Sequence, residues 1–192
     1  MSNKRDKHKV LFFTGNEISE IKNKQYIKDR LTRRFADEHP VEYMNTIREL
    51  VYECESIKPN AIHKMIASTD IPVITTSIDG LQKVAGSTDV IAVHGELPTK
   101  RNVDSYLENI KSSDLILYGD YAPKYGKAIE LARKLKYGNS YLIVVGEKLS
   151  SPLGNILKLI AEKRLVSIIE VNVDIQKNLA EVCEQLSIAG LC

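Results

Sequence analysis

Six short loops that carry polar side chains follow apolar segments of the chain, and five of the six contain a glycine. They cover residues 15–19, 77–81, 94–95, 119–120, 146–148 and 172–174. A glycine in such a loop permits a tight turn and a close approach of the backbone to a ligand. Polar groups beside it, among them the imidazole of His94 and the carboxylate of Asp79, can orient that ligand. The pattern is typical of a nucleotide site.

Two common phosphate-binding motifs are absent from the sequence. There is no Gly-x-Gly-x-x-Gly, and Gly126-Lys127 is followed by Ala128 instead of the serine or threonine of a phosphate loop. The nucleotide interpretation therefore depends on where the fold places the six loops.

The apolar segments before the loops are predicted to be β-strands. They cover residues 10–14, 72–76, 90–93, 115–118, 141–145 and 166–171. Four of the six contain mostly Val, Ile, Leu, Phe or Tyr with little alternation, which is typical of a parallel sheet covered by helices on both faces. Helices are predicted between them, over residues 41–53, 60–67, 102–111, 125–135, 152–161 and 175–186.

This alternation of strands and helices predicts a doubly wound, Rossmann-like α/β fold. We expect one parallel six-stranded sheet with the strand order 3-2-1-4-5-6 and right-handed crossovers. Ligands of such folds bind at the carboxyl ends of the strands, where the polar loops lie.

The ordered set of loops resembles the sirtuin family of NAD-dependent protein deacylases. Residues 75–82, Thr-Thr-Ser-Ile-Asp-Gly-Leu-Gln, resemble the family's Thr-Gln-Asn-Ile-Asp-Gly-Leu-His, and Ala-Gly-Ser and His-Gly follow at similar distances. Residues 58–63 resemble its Pro-Asn-x-x-His, residues 118–120 its Phe-Gly-Glu, and residues 144–149 its Val-Val-Gly-Thr-Ser-Leu. The likeness covers roughly residues 10–190, in the right order.

The resemblance implies an NAD-dependent protein-lysine deacylase that cleaves the nicotinamide–ribose bond and transfers the acyl group to ADP-ribose. His94 would be the general base, Ser77 would hold the nicotinamide ribose, and Asp79 would recognise the nicotinamide amide. Residues implied to bind NAD are Gly15, Asn16, Ser19, Thr76, Ile78, Gly146, Glu147, Lys148, Asn172 and Val173. An acyl-lysine protein would pair with Tyr118, Gly119 and Asp120 on one side and with the loop 146–151 on the other.

Structural roles remain alternatives for several of these residues. His94 could be a histidine held in a loop, Asp79 a carboxylate at a helix N-terminus, and Asn172 a turn asparagine. Lys148 could contact a phosphate or be solvated. The cluster of arginines at residues 30–34 is interpreted as a solvated helix face.

The chain also departs from the family pattern. Glu17 replaces a glycine in the loop that approaches the pyrophosphate, where it either excludes that group or turns outward. Ser77 replaces an asparagine, and Glu147 and Lys148 replace two hydroxyl residues. Two alternative functions therefore stay open: a catalytically impaired sensor of NAD or ADP-ribose, and an NAD glycohydrolase.

No zinc site is expected, because the 23 residues between His94 and Tyr118 contain no cysteine. The small zinc-binding portion of the family is therefore predicted to be reduced, metal-free and helical. We assign residues 20–70 and 96–114 to it, within a single NAD-binding domain over residues 1–192.

Composition restricts the partners and the compartment. A net charge of +2 gives no argument for nucleic-acid binding, and the apolar runs are too short for a membrane span. Three scattered cysteines without a recognisable secretory signal favour a reducing cytoplasm. The oligomeric state is left open.

Overall fold

A computed structural model describes residues 9–21, 28–108 and 115–186. These residues form a parallel sheet of five strands in the order β3-β2-β1-β4-β5. The strands are β1 Val10–Thr14, β2 Val73–Thr75, β3 Val90–Ala92, β4 Tyr141–Val145 and β5 Ser167–Val171. The doubly wound α/β fold is confirmed, with a sheet one strand smaller than expected.

The strand predicted at residues 115–118 does not join the sheet. Leu115 and Leu117 are buried, whereas Tyr118 is exposed over 55% of its surface, so this segment has one buried and one open face. Its only strand-like pairing among the described residues is an isolated parallel bridge between Thr32 and Tyr118. The place beside β1 is taken by β4, which pairs with β1 along its whole length from Val10↔Tyr141 to Thr14↔Val145.

Residues 28–30 are helical, and the longer α-helices lie within the described ranges as well. They are α1 Arg33–Glu38, α2 Pro40–Ser56, α3 Ala61–Ser68, α4 Leu81–Val84, α5 Val103–Glu108, α6 Lys124–Arg133, α7 Pro152–Lys163 and α8 Ile175–Gln185. A short 3-10 helix, Asn16–Ile18, follows β1. None of these helices combines the length and the apolar character that crossing a bilayer requires.

Local sequence explains where the longer helices begin. Asn60 caps α3, since its side-chain oxygen accepts hydrogen bonds from the backbone N–H groups of Ile62 and His63. Ser151 caps α7 in the same way through Gly154, and Pro152 occupies the first turn, where a missing N–H costs nothing.

Helices cover both faces of the sheet. Leu11, Phe13 and Val144 pack with the buried side of α6 and α7. Phe12, Ile143 and Val145 pack on the other face with α3 and α8. Residues 10–13 of β1 and all five residues of β4 are apolar, as expected for strands that are covered on both faces.

A third apolar cluster lies outside the sheet layers. It joins Tyr43 and Ile47 of α2 to Val103 and Leu107 of α5, together with Leu117. This cluster contains residues from both segments that were assigned to a small helical portion. Helix α3, by contrast, contributes Ile66 to the sheet cluster. The domain division itself stays a prediction.

Candidate functional site

An open cleft of about 720 Å³ lies at the carboxyl edge of the sheet. It is formed by the loops after β1, β2, β3 and β4, the segment 115–122, and the start of α7. Its volume is in the range of sites for small molecules and cofactors. Predicted site residues in its wall are Asn16, Ser19, Thr76, Ile78, His94, Tyr118, Gly119, Asp120, Gly146, Glu147 and Lys148.

Five other predicted residues do not line the cleft. Gly15 lies behind it, in contact with the loop after β4. Ser77 is buried, and Asp79 lies beside it, next to α4. Asn172 and Val173 are exposed where β5 ends, at the same edge of the sheet.

The loops after β1 and β4 touch at two glycines. A Cβ atom on Gly15 would lie 2.4 Å from the carbonyl oxygen of Gly146. A Cβ atom on Gly146 would lie 2.8 Å from Cγ2 of Ile18, and this glycine also has a φ of 60°. The backbone N–H of Glu17 donates to the Gly146 oxygen at 3.2 Å, which fixes the two loops together.

The carboxylate of Glu147 extends from the end of β4 towards the end of β2, whereas that of Glu17 does not. Its Oε2 accepts a hydrogen bond from the hydroxyl of Thr76, and its Oε1 accepts one from the backbone N–H of Lys148 at 2.8 Å. Glu17 is exposed at the rim of the cleft, and so is Lys148.

His94 lies in a cluster of aromatic rings. The centre of its imidazole is 6.2 Å from that of Tyr118 and 5.9 Å from that of Tyr125, which it meets edge to face. Burial lowers the pKa of His94, because the imidazolium form loses hydration there. The imidazole is therefore neutral at pH 7 and able to accept a proton.

Burial and the Glu147 charge also act on the two phenols. Burial is the larger cause of the raised pKa of Tyr118, and the negative charge of Glu147 adds to it. The pKa of Tyr125 is raised by burial, by Tyr118 and by Glu147. Both tyrosines therefore remain protonated and can donate hydrogen bonds.

Asp79 has one occupied and one available oxygen. Oδ1 accepts a hydrogen bond from the backbone N–H of Leu81 at 2.9 Å, so part of its role is local and structural. Oδ2 is buried and has no hydrogen-bond partner among the described residues, as is also true of the Ser77 hydroxyl. A buried acceptor of this kind is satisfied when a donor arrives.

A buried hydrogen-bond network supports the loop that carries Asp79. Nδ1 of His63 lies 2.7 Å from Oδ1 of Asn60, and Nδ2 of Asn60 donates to the carbonyl oxygen of Ile18 at 2.9 Å. Gln82 donates to the carbonyl oxygen of His63 at 3.2 Å. Burial lowers the pKa of His63, which keeps its ring neutral within this network.

The segment with Tyr118 and Gly119 is held by an ion pair. Arg33 binds both carboxylate oxygens of Asp120, and this pairing lowers the pKa of Asp120. The interpretation of residues 30–34 as a solvated face was thus wrong for Arg33, whose side chain is 36% exposed and bonded. The Tyr118 N–H donates to Leu31 at 2.9 Å and its carbonyl oxygen accepts from Arg33 at 2.8 Å.

Sequence analysis missed several residues of the cleft. Tyr125 lies in the first turn of α6, five positions after the predicted loop 119–120, and Ser150 and Ser151 precede α7. The loop after strand 141–145 was predicted to face the peptide as far as Ser151, but no contact was assigned to either serine. The N-terminus of α7 at this edge of the sheet is the signal that could have indicated them.

No group of three or more His, Cys, Asp or Glu side chains in the described ranges could hold a metal ion.

The cleft suits a ligand with hydrogen-bond donors and a flat ring. The rings of His94, Tyr118 and Tyr125 form an aromatic part of its wall. Asp79 lies in the adjoining loop, and its buried Oδ2 has no hydrogen-bond partner among the described residues.

Comparison with known proteins places these features in context. The sequence profile described as "Sir2 family" matches residues 5–166. An NAD-dependent protein deacetylase of Bacillus anthracis is 32% identical over 144 residues, 62% of this chain and 58% of the relative. One of Thermotoga maritima is 29% identical over 110 residues, 50% of this chain and 45% of that protein. The chain thus spans less than two thirds of the length of these curated relatives.

Solved structures agree on the fold. Sir2Tm bound to a propionylated peptide superposes with a TM-score of 0.73 at 22% identity, covering 94% of both chains. A structure titled "Sir2 bound to acetylated peptide" gives a TM-score of 0.72 at 22% identity, again over 94% of both chains.

Proposed function

The chain belongs to the Sir2 family, and from this premise we propose that it is an NAD-dependent protein-lysine deacylase. The observation that carries the proposal is the neutral, partly buried His94 in the cleft wall, with Asp79 in the neighbouring loop. Relatives that match the chain are named NAD-dependent protein deacetylases, which supports the same activity.

NAD would supply the ADP-ribose that receives the acyl group. His94 would accept a proton from a ribose hydroxyl, since an imidazole with a lowered pKa is neutral at pH 7. Asp79 would accept a hydrogen bond from the nicotinamide amide at Oδ2, the buried oxygen that has no partner among the described residues. Both roles are those that the family resemblance implied.

The other residues predicted to bind NAD lie in the four loops after β1, β2, β4 and β5. Gly15, Asn16 and Ser19 after β1 would lie along one side of NAD, and Gly146, Glu147 and Lys148 after β4 along the other. Thr76 and Ile78 after β2 line the cleft between them. Asn172 and Val173 would contact the adenosine end, which is consistent with their exposure at the end of β5.

An acyl-lysine peptide would bind beside Tyr118, Gly119 and Asp120. The N–H groups of Tyr118 and Asp120 already donate within the chain, to Leu31 at 2.9 Å and to Leu117 at 3.0 Å. The Gly119 N–H has no backbone acceptor in the described part of the chain. We therefore assign the peptide hydrogen bond of this segment to Gly119, with the loop 146–151 opposite.

A second candidate, a binding protein for NAD or ADP-ribose, is favoured by one observation. Ser77 is buried behind the cleft, so its hydroxyl is not where it could hold a ribose unless the loop moves. The third alternative, an NAD glycohydrolase, uses the same His94 with water as the acceptor.

Nicotinamide release separates the three functions. We expect purified protein to release nicotinamide from NAD only when an acetyl-lysine peptide is present. Release without peptide would support the glycohydrolase instead. Thermal stabilisation by ADP-ribose without release would support the sensor, because a ligand stabilises the state that binds it. A cytoplasmic location remains part of the proposal.

A further inference from the structure

Glu147 lies at the point where the order of the strands along the sheet reverses. Strand β1 has β2 on one side and β4 on the other, so the crevice between the ends of β1 and β4 is the switch point of the sheet. Ligands of open α/β sheets bind in this crevice. Glu147 follows β4 after a single residue, Gly146, and lines the cleft there.

The carboxylate of Glu147 fills the crevice instead of pointing to solvent. Its Oε2 is 2.7 Å from the position that a Cβ atom on Gly15 would take, so it lies against the backbone that follows β1. The same oxygen accepts the hydroxyl hydrogen bond of Thr76, which follows β2. The carboxylate therefore spans the ends of three neighbouring strands.

No cationic side chain pairs with the carboxylate of Glu147 in the part of the chain that the structure describes. The neighbouring Lys148 contributes its backbone N–H to the carboxylate. Its charge also reaches the opposite wall, where it helps to raise the pKa of Tyr118 and Tyr125.

We propose that Glu147 is a specificity-determining residue that competes with the diphosphate of a dinucleotide for the crevice after β1. This inference rests on the proposed function, since it assumes that a dinucleotide is the ligand. A diphosphate must displace the carboxylate from Thr76 before it can approach the backbone at Gly15, because like charges at such separations repel strongly. Ligands without phosphate do not meet this barrier.

The test compares Glu147→Gln with the wild-type protein in calorimetric titrations. Glutamine keeps the size and the hydrogen-bonding ability of the side chain but removes its charge. We expect the variant to bind ADP-ribose and inorganic pyrophosphate at least about tenfold more tightly, whereas adenosine binding changes by less than about twofold. Glu170→Gln removes an exposed charge from β5, away from the cleft lining, and is the matched control that should change none of the three.

An unchanged or weaker affinity of the folded Glu147→Gln protein for ADP-ribose overturns the inference. A weaker affinity would mean that the carboxylate accepts hydrogen bonds from ribose hydroxyls. Absence of any binding in both proteins would also overturn it. If the glutamine variant does not fold, Thr76→Val removes the anchor of the carboxylate and should tighten pyrophosphate binding, though by less; no tightening there counts against the inference.

Failure of the proposed function is recognised separately. Tighter binding of pyrophosphate by Glu147→Gln, without nicotinamide release by either protein, supports the competition and contradicts the deacylase. Peptide-dependent release by the wild-type protein, with no tightening in the variant, contradicts only the competition.

Discussion

Arg33 holds Asp120 through two parallel hydrogen bonds, Nε to Oδ1 and Nη2 to Oδ2, each 2.8 Å long. The two residues are 87 positions apart in the sequence. The pair therefore ties the start of α1 to the segment that carries Tyr118 and Gly119, one wall of the cleft. A bidentate guanidinium–carboxylate pair fixes orientation as well as distance.

Replacement of Arg33 by Gln should loosen this wall. We expect a loss of about 1 kcal/mol in the free energy of unfolding, because the pair is partly exposed and solvent screens it. Arg34→Gln on the same helix is the control, since Arg34 pairs with Glu38 in a more exposed i,i+4 bridge. Peptide affinity, measured by fluorescence polarisation, should fall for Arg33→Gln alone; equal effects of the two variants would contradict the assigned role.

Asp120 should make the stability of the protein sensitive to acid. Its pKa is lowered in the folded state by Arg33, so its contribution is complete above the ordinary carboxyl pKa and is lost as the pH falls through the lower folded value. The difference in unfolding free energy between the wild type and Asp120→Asn should thus be constant from pH 7 to about pH 4 and shrink below it. Urea titrations across this range measure it, and a difference that grows in acid would contradict the sign.

His94→Ala should abolish most turnover while leaving NAD affinity within a few-fold. A general base acts mainly in the transition state, and losing one costs about 10²–10⁴-fold. His39→Ala, on an exposed loop histidine, is the control.

The wild-type pH profile gives a second measurement of this role. Because burial lowers the pKa of His94, activity should persist somewhat below pH 6.5, the ordinary histidine value, and fall when the imidazole becomes protonated. A His94→Ala protein with normal turnover would exclude His94 as the base.

The fold could be predicted where the apolar pattern of a segment matches the burial of that segment in the structure. The segments that form β1 and β4 are apolar at consecutive positions, which is typical of short strands covered on both faces. The segment 115–118 has similar residues but alternates in burial, and its partner is the chain around Thr32. The residue types within such a segment do not show whether it will join the sheet or pair with another part of the chain.

The candidate site was predictable as a set of loops but not as a set of contacts. His94 and Gly146 were predicted from their positions directly after apolar segments and Tyr118 from its position at the end of one, and the structure places all three at one cleft. The inward direction of Glu147 depends on how closely the ends of β1 and β4 approach, and the Arg33–Asp120 pair depends on contacts between distant segments. Tertiary packing determines the distances between such remote segments, and no local sequence pattern encodes them.

Chelation of metal ions should leave the melting temperature unchanged. Cys54 and Cys183, the cysteines in the described ranges, are buried in different clusters, and burial raises the pKa of the Cys54 thiol to about 12. A protonated thiol is a poor zinc ligand. Calorimetry with and without EDTA, beside elemental analysis, measures this, and one tightly bound zinc per chain would contradict the expectation of a metal-free protein.

Gly15→Ala should be among the most damaging single changes at the cleft. Gly15 has a φ of −127°, which any residue adopts, so the requirement for glycine comes from contact alone. An added methyl group would lie 2.4 Å from the carbonyl oxygen of Gly146, and backbone atoms on both sides cannot move without separating β1 from β4. We expect a loss of about 3 kcal/mol and a fall in melting temperature of about 10 °C.

Gly126→Ala is the matched control for that change. Gly126 lines the cleft that Gly15 lies behind, but it is on α6 and a methyl group there would meet nothing within 4 Å. Alanine in a helix is favoured over glycine by about 0.5–1 kcal/mol, so this variant should be slightly more stable than the wild type. If both variants have the same melting temperature as the wild type, the close contact between the loops after β1 and β4 does not hold the ends of these strands in place.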